Sequence, residues 1–583
     1  MAETKIIIVG GGLAGLMTTI KAVEAGAMVD IFSIVPVKRS HSVCAQGGIN
    51  ASVNTKGEGD SPQIHFEETI YGGDFLGNQL PVKGMCEASP NIVYLLDRMG
   101  VPFNRTPEGN LDFRRFGGSR YHRTAFAGAT TGQQLLYALD EQVRRFEAEG
   151  KVKKYEGWEF LSILKDGKGS CCGIVALDLI RMEIHPFLAG AVVLATGGPG
   201  LIFGKTTNSL TNTGGAAGSV YQEGAIYANG EFIQVHPTAI SGGDKLRLIS
   251  ESVRGEGGRV WTLKDGKRWY FLEEWYPAYG NLVPRDIASR AIYKVCRELG
   301  LGIDGKDQVY LDVTHIDKKR LRERLGGVLE IYEKFMGESP YEVPMKVFPA
   351  VHYSMGGLWV DFDQMTNISG LFAAGECEYQ YHGANRLGAN SLLSCIYGGM
   401  IAGPKSVEFV KSKAGSITSS EVDSQVLEQK QTIEEIYNMQ GVENPHRLHQ
   451  ELSEMMTSHV TIVRENKKIE VVCGKIRDLM VRYQKIGLSD TNRWANGEVL
   501  FTRQLWNMLV LAELITLGAL QRDESRGAHY KPGFPDRNDE EWLKTTKATY
   551  TSQGPRLEYE AVDIQYLKPR PRRYDQATAG VKK

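Results

Sequence analysis

Apolar residues at the start of the chain form two continuous runs separated by a helical pattern. Residues 5–9 and 28–34 are the apolar runs, and residues 13–25 between them repeat apolar positions with a helical period before Gly26. Short apolar runs that flank a helix are typical of parallel strands buried on both faces. The pattern therefore predicts an α/β fold that opens with a strand–helix–strand unit.

Later patterns indicate that a second domain interrupts the first. A strand-like segment ends at residues 191–195, and the pattern becomes mixed over 241–346, with a helical segment at 287–299. The apolar segment 370–374 then suits a return to the first sheet. We therefore expect an inserted domain, which agrees with a length of 583 residues, too great for one core.

Composition and charge exclude some classes of protein. Lys and Arg number 68 against 69 Asp and Glu, so the net charge is −1, and this balance gives no support to a nucleic-acid partner. The first apolar run is too short for a signal peptide. The longest apolar stretch, 505–520, contains Asn507, Glu513 and Thr516, so we expect a buried helix and no membrane span.

The eight cysteines indicate no metal site. They are scattered along the chain without a CxxC pair, whereas metal sites, iron–sulfur clusters and disulfide frameworks favour tighter spacing. We predict reduced, buried thiols of a cytoplasmic protein.

A glycine-rich loop joins the first predicted strand to the first helix. Because this G-x-G-x-x-G lies between a strand and a helix, it predicts a dinucleotide site. Its first glycine permits a tight turn, its second lets the backbone approach the phosphates, and its third lets helix and strand pack closely. The positive end of the helix faces the phosphates. The motif is Gly10-Gly11-Gly12-Leu13-Ala14-Gly15.

The second predicted strand lacks the acidic residue that commonly binds a ribose at its end. It finishes Asp30-Ile31-Phe32-Ser33, and Asp30 lies too early in the strand. We therefore assign the ribose contact to Ser33. The departure argues against NAD as the dinucleotide.

The next loop, Ser40-His41-Ser42-Val43-Cys44-Ala45-Gln46-Gly47-Gly48, makes the sequence recognisable. The chain resembles the flavoprotein subunits of succinate dehydrogenases and fumarate reductases along nearly its full length, and most closely those of Gram-positive, menaquinone-linked succinate dehydrogenases. The resemblance implies FAD bound covalently, from the imidazole of His41 to the flavin 8α carbon, which raises the flavin potential. It also implies FAD contacts by Ser40, Ser42, Gln46, Gly47, Gly48, Glu376, Asn390, Ser391 and Leu392.

Polar segments later in the chain match the substrate site of this family. A C4 dicarboxylate needs donors at both ends, and an arginine offers a fork that fits a carboxylate. By resemblance, His236 and Ser250, where the family commonly has Thr, bind one carboxylate, and His352 and Arg386 bind the other. Phe103 resembles the aromatic residue beside the substrate.

The resemblance also implies the acid–base group and its relay. Arg285 exchanges a proton with a substrate carbon, and Glu251 and Arg254, three residues apart and so on one face of a helical turn, form the relay. An arginine pKa lies far above neutral, so the proton must leave by a relay in a site that excludes water. Succinate then gives a hydride to flavin N5 and a proton to Arg285, leaving fumarate.

The resemblance implies a chain of several domains. We predict an α/β, Rossmann-like FAD-binding domain at residues 1–240 and 347–411, which is interrupted by an α+β capping domain at 241–346. A helical domain at 412–522 and a small C-terminal domain at 523–583 follow.

The implied partners are succinate and fumarate, an iron–sulfur subunit that takes electrons from the flavin, and a membrane cytochrome b anchor. These subunits would hold the chain peripherally at the cytoplasmic face of the cell membrane. The charged helices and the basic segment 568–573 are expected to be solvated, with contact between that segment and the membrane surface as the alternative.

Other functions stay open at this point. Fumarate reduction uses the same residues in reverse. A soluble L-aspartate oxidase would need no partner subunit, although those enzymes keep the Ala-Gln-Gly-Gly and lack a histidine at the position of His41. A dinucleotide-binding module without chemistry would have no use for Arg285.

Overall fold

The computed structural model describes residues 4–242, 245–412 and 417–574. In chain order, the strands are β1 Lys5–Val9, β2 Met28–Ser33, β3 Ile49–Asn50, β4 Phe113–Arg114, β5 Thr124–Ala125, β6 Val152–Glu156, β7 Trp158–Lys165, β8 Cys171–Asp178, β9 Ile184–Leu188, β10 Ala191–Leu194, β11 Tyr227–Ala228, β12 Ile233–Ile240, β13 Arg247–Leu248, β14 Arg259–Lys264, β15 Lys267–Trp269, β16 Val309–Asp312, β17 Met345–Ser354, β18 Gly357–Leu358, β19 Leu371–Ala373, β20 Lys544–Thr549 and β21 Arg556–Ala561.

The α-helices of the same residues are α1 Leu13–Glu24, α2 Pro62–Gly72, α3 Gln79–Arg98, α4 Thr131–Ala148, α5 Gly215–Gln222, α6 Ser252–Gly255, α7 Phe271–Trp275, α8 Arg285–Tyr293, α9 Lys318–Met336, α10 Asn390–Ser412, α11 Ser419–Tyr437, α12 Pro445–His459, α13 Asn466–Tyr483, α14 Gly497–Gln521 and α15 Asp539–Trp542.

A parallel sheet of five strands, in the order β19-β10-β1-β2-β6, forms the centre of the first domain. Ile6, Ile7 and Ile8 of β1 are fully buried, as a strand covered on both faces requires. The predicted strand–helix–strand unit is confirmed, and β19 returns to the sheet as expected. The carboxyl ends of β1, β2 and β10 meet at one edge, where the glycine loop lies.

The inserted region contributes an antiparallel sheet in the order β13-β12-β17-β16-β14-β15. Strands β12 and β17 are long and join this sheet to the first domain. The predicted helix at 287–299 begins two residues earlier, at Arg285, because Pro284 cannot extend it backward, and it passes into a π-helical turn at Lys294–Glu298. The overall class, an α/β dinucleotide fold with an inserted α+β region, is confirmed.

Helices α11 to α14 form the helical region. The predicted buried helix is confirmed within α14, whose Asn507 donates to the Gly215 carbonyl and whose Glu513 pairs with Arg477. Among the residues that the structure describes, no helix is long and apolar enough to cross a membrane. The hairpin of β20 and β21 then pairs with β11, so the C-terminal region is attached to the first domain by a shared sheet.

The basic segment near the C-terminus is not a free, solvated tail. The Arg572 side chain is only 7% exposed and forms ion pairs with Asp74 and Asp286. Tyr574 is buried, with its ring against those of Tyr71 and Tyr279. The expectation of a solvated segment is wrong at Arg572 because two buried carboxylates and an aromatic pocket lie within its reach. The predicted domain also includes residues 575–583, which lie outside the described residues.

Candidate active site

A cavity of about 550 Å³ extends from the glycine loop to the boundary with the inserted region. Backbone from the loops after β1, β2 and β10 lines one end. Charged and polar side chains from distant segments, including His236, Arg285, His352 and Arg386, line the other. The two ends of the cavity therefore differ in chemistry.

The glycine loop leaves no room for side chains. Gly10 has a φ of 114°, and a Cβ there would lie 2.2 Å from the Ala195 carbonyl oxygen. A Cβ at Gly15 would lie 1.9 Å from the Gly10 carbonyl oxygen, so this glycine lets α1 pack against the loop, as predicted, without lining the cavity. Residues 10–14 line the cavity beneath the N-terminus of α1, where the helix dipole favours an anion.

Several polar side chains lie along the dinucleotide end of the cavity. Ser33 lines the cavity at the end of β2, and its hydroxyl donates to the Val35 carbonyl at 2.7 Å. Among the residues that the structure describes, the Thr196 hydroxyl, the Ser40 hydroxyl and the Gln46 side-chain oxygen are buried and have no hydrogen-bond partner. Buried polar groups without partners are costly, so these atoms fit an extended polar ligand such as a dinucleotide.

The His41 ring has a defined orientation in the cavity wall. Its Nδ1 accepts a hydrogen bond from the Ser209 backbone amide at 3.2 Å. Burial of the ring, and then the nearby Lys245 ammonium, lower the pKa of His41 to about 3, so the ring is neutral at pH 7. With Nδ1 occupied as an acceptor, Nε2 is the nitrogen left to react with a bound group.

Helix α10 and the segment before it contribute a further wall. Glu376 accepts a hydrogen bond from the Ser354 amide at 3.0 Å, and burial raises the pKa of this carboxyl to about 7. Ser391 and Leu392 line the cavity, whereas Asn390 does not. The Asn390 amide oxygen accepts from the Asn50 amide at 2.7 Å and lies 2.9 Å from the His65 Nε2, so Asn390 fixes the start of α10.

Two histidines face each other at the opposite end. The ring centroids of His236 and His352 are 5.1 Å apart. The His236 Nδ1 accepts from the Thr238 amide, and the buried Nε2 meets no hydrogen-bond partner among residues 4–242, 245–412 and 417–574. Desolvation by burial, and then the Arg285 guanidinium, hold the pKa of both rings well below 6.5. Both imidazoles are therefore neutral at pH 7 and donate through N–H without carrying charge.

Arg386 presents a partly unsatisfied guanidinium to the same space. Its Nη2 donates to the Gln234 side-chain oxygen at 2.9 Å, and its buried Nε has no partner within the described parts of the chain. Burial, and then the charge of Arg285, lower its pKa to about 9, so the guanidinium is still charged at pH 7. The Ser250 side chain, which accepts from the Ser252 hydroxyl at 2.9 Å, also lines the cavity.

Arg285, Glu251 and Arg254 form a buried chain of ion pairs. The Arg285 Nε lies 2.9 Å from one Glu251 carboxylate oxygen, and the Arg254 Nη2 lies 2.9 Å from the other. Arg285 and Glu251 line the cavity, and Arg254 lies behind them, with its Nη1 donating to the Asn281 carbonyl. Burial acts to raise the pKa of Glu251, but the two arginines outweigh it and hold the pKa below its ordinary value.

The structure places the predicted aromatic residue of the substrate site away from the cavity. Phe103 is buried in the core cluster that contains Leu111 and Phe113, and it does not line the cavity. Phe116 is an aromatic residue that does line the cavity, and its ring meets the positions that side chains on Gly47 and Gly388 would occupy. Phe103 follows Pro102 in a short apolar segment that packs inward, whereas Phe116 precedes Gly117-Gly118, a signal of close backbone approach.

Gln234 is a further site residue that sequence reasoning missed. Its side-chain oxygen accepts from Arg285 and from Arg386, each at 2.9 Å, so it joins the two arginines that face the cavity. It lies two residues before His236 on β12, and alternate residues of a strand share a face. That spacing was the available signal.

Comparison with known proteins relates both ends of the chain to one family. Residues 5–392 match the FAD binding domain family, and residues 449–574 match the C-terminal family of fumarate reductase flavoproteins. The chain is 65% identical to the succinate dehydrogenase flavoprotein subunit of Bacillus subtilis, with 98% of this chain and 99% of the relative covered. It is 34% identical to the fumarate reductase flavoprotein subunit of Escherichia coli, with 98% and 96% covered.

Solved structures show the same likeness. The chain superposes on a quinol fumarate reductase chain from Escherichia coli with a TM-score of 0.93 and 33% identity, covering 99% of both chains. It superposes on Sdh1 of Mycobacterium smegmatis with a TM-score of 0.83 and 28% identity, covering 97% of this chain and 95% of the other.

Proposed function

Because this chain belongs to the family of FAD-binding flavoprotein subunits of succinate dehydrogenases and fumarate reductases, we propose that it oxidises succinate to fumarate as the catalytic subunit of a succinate:quinone oxidoreductase. One observation supports this above all. A cradle for a dinucleotide opens, within one cavity, onto a buried constellation of arginines and neutral histidines.

The charge of the inner end matches a C4 dicarboxylate. Arg254, Arg285 and Arg386 with Glu251 leave a surplus of two positive charges, and the adjacent histidines are neutral. A dianion balances that surplus. We assign His236 and Ser250 to one carboxylate and His352 and Arg386 to the other, since the His236 Nε2 and the Arg386 Nε lack partners in the part of the chain that the structure describes.

Arg285 is the proposed proton acceptor. FAD bound in the cradle supplies the ring that takes up the hydride from one methylene of succinate. The charged Arg285 first releases a proton through its contact with Glu251 toward Arg254, and the neutral guanidine then receives the proton from the other methylene. Because all three side chains are buried, bulk water does not compete for the proton.

His41 is the proposed point of covalent attachment, through Nε2. We expect flavin to precipitate with the acid-denatured wild-type protein and to stay in the supernatant for His41→Ala, because the Ala side chain offers no nitrogen. Absorbance at 450 nm of both fractions is the measurement. His185→Ala, which changes an exposed histidine, is the control and keeps the flavin in the pellet. Flavin that washes out of the wild-type protein would contradict the attachment.

The partners are proposed from the same family. The relatives are subunits of larger enzymes, which supports an assembly of several chains. We propose an iron–sulfur subunit that receives the electrons and a cytochrome b anchor that holds the assembly at the cytoplasmic face of the membrane.

The test of the function is purification of the complex from membranes, followed by dye-coupled assays. We expect succinate to reduce the dye and reduced dye to drive fumarate reduction, because Arg285 serves both directions. Peroxide formation with L-aspartate and no response to succinate would support the oxidase instead. Recovery of the chain only as a soluble monomer would contradict the assembly.

A further inference from the structure

The last described residues of the chain reach the helix that carries the proposed proton acceptor. The Arg572 guanidinium donates to both oxygens of the Asp286 carboxylate, at 3.0 and 3.2 Å, and lies 3.4 Å from the Asp74 carboxylate. The exposed fraction of the side chain is 7% for Arg572, 1% for Asp286 and 8% for Asp74. The contact is a paired, two-pronged bridge in a site largely closed to water.

Asp286 is the neighbour of Arg285 in the first turn of α8. Pro284 is the N-cap residue of this helix, and no side chain caps the first turn. The backbone amides of a first turn have no partners within their own helix. Besides Arg572, the Asp286 carboxylate contacts Arg290, one turn later on the same helix, at 3.2 Å. The contact with Arg290 does not tie this carboxylate to the rest of the molecule, so among the described residues Arg572 is its partner from outside the helix.

The other contacts of this segment lie on both sides of the domain boundary. Asp74 belongs to the first domain, and it also accepts hydrogen bonds from Arg537 and the Gly527 amide, each at 2.8 Å. The Tyr574 ring lies 5.1 Å from that of Tyr279 in the inserted region. The segment 572–574 therefore fastens the inserted region to the first domain beside Arg285.

We infer that Arg572 is a positioning residue for the reaction: by holding Asp286 against Asp74, it sets the place of the Arg285 guanidinium relative to the substrate carbon. This inference rests on the proposed function. Proton transfer requires the acceptor to lie at hydrogen-bond distance from the reacting carbon, and a misplacement of about 1 Å lowers a rate by about 100-fold.

The test compares Arg572→Gln with Arg570→Gln in the purified complex, with rates expressed per bound flavin. Arg570 is exposed, lies two residues away in the same segment and carries the same charge, so it is a matched control. We expect kcat for succinate to fall about 10- to 100-fold in Arg572→Gln. The control should stay within about twofold of wild type.

Ligand binding gives a second readout that does not depend on turnover. Malonate has a single methylene and cannot form an alkene, so its titration, followed by the flavin absorbance, reports dicarboxylate binding alone. We expect its dissociation constant to change less than about threefold in Arg572→Gln, because the residues assigned to the carboxylates do not contact Arg572. Arg572→Lys, which keeps the charge without the fork, should recover part of kcat.

The outcomes separate the possibilities. A lower melting temperature or flavin content with unchanged kcat per bound flavin would make Arg572 merely structural and overturn the inference. Equal losses of kcat and malonate binding would also overturn it. If Arg572→Gln does not fold, kcat per bound flavin is measured in Arg572→Lys and Asp286→Asn instead. A normal kcat in both variants would overturn the inference. A wild-type complex inactive on succinate would instead refute the proposed function.

Discussion

The two ends of the cavity hold their ligands by different means. At the dinucleotide end, the backbone of the loops after β1, β2 and β10 supplies much of the surface, and Gly10 and Gly15 are needed because any side chain would collide with backbone. At the dicarboxylate end, side chains from separate segments between residues 236 and 386 converge, and their charges and neutral imidazoles supply the recognition.

The two ends of the cavity should therefore tolerate different kinds of substitution. The surface of the dinucleotide end is formed by backbone, so an added methyl group disturbs ligand binding by steric collision. A change of charge nearby should affect that binding less. The dicarboxylate end is a balance of buried charges, so loss of one guanidinium leaves a partner unpaired in a dry site. Each end should therefore respond to its own class of substitution.

The largest expected effect is at the charged end. Arg285→Gln removes the proposed proton acceptor and should lower kcat about 10³- to 10⁴-fold, while flavin stays bound because the glycine loop is untouched. Dye-coupled turnover per bound flavin is the measurement. Arg297→Gln, a change at an exposed arginine of the same region, serves as control and should turn over normally. Near-normal turnover of Arg285→Gln would contradict the role of Arg285 as proton acceptor at the dicarboxylate end.

A methyl group should damage the backbone end next most severely. Gly10 has a φ of 114°, and a Cβ there would lie 2.2 Å from the Ala195 carbonyl oxygen. We therefore expect Gly10→Ala to lower the free energy of unfolding by about 3 kcal/mol and to lower the amount of bound flavin. Denaturant titration and flavin absorbance measure both. Gly57→Ala shares a positive φ but meets nothing within 4 Å, so it should keep its flavin. Equal effects in both variants would disprove the steric argument.

The smallest effect is a dependence of stability on pH at the charged end. The folded pKa of His352 lies well below 6.5, so below pH 6.5 the unfolded chain takes up a proton that the folded chain refuses. The free energy of unfolding then falls as pH falls, by about 1.4 kcal/mol per pH unit for each such histidine. His352→Gln should show a shallower fall between pH 7 and pH 5, measured by denaturant titration without dicarboxylate.

His185→Gln provides the comparison for that experiment. It changes an exposed histidine by the same substitution and is measured alongside the wild-type protein. Identical slopes for His352→Gln and wild type would show that His352 is not held neutral by its surroundings.

Much of this molecule could be predicted from local sequence. The unit around Gly10 was predictable because a strand, a tight turn and a helix depend on neighbouring residues. His236, Arg285 and Arg386 were found through the resemblance, and the structure brings them to one cavity. Phe103 was assigned through the same resemblance and lies in the core, because a short motif does not tell an aromatic residue of the core from one at a cavity.

Arg572 shows what local sequence does not contain. A basic segment with prolines is usually solvated, and the carboxylates that bury this guanidinium lie 498 and 286 positions earlier in the chain. Only the folded chain brings them within 3.4 Å. Gln234 was missed for a similar reason, because its two arginine partners come from other segments.

The sequence by itself determined the α/β class, the glycine cradle and the residue types available for chemistry, since each depends on short-range pattern or composition. The tertiary structure alone decided which of those residues share a site, which histidines are neutral and how the end of the chain reaches α8. Burial and long-range pairing set these properties, and both arise only when distant segments pack together.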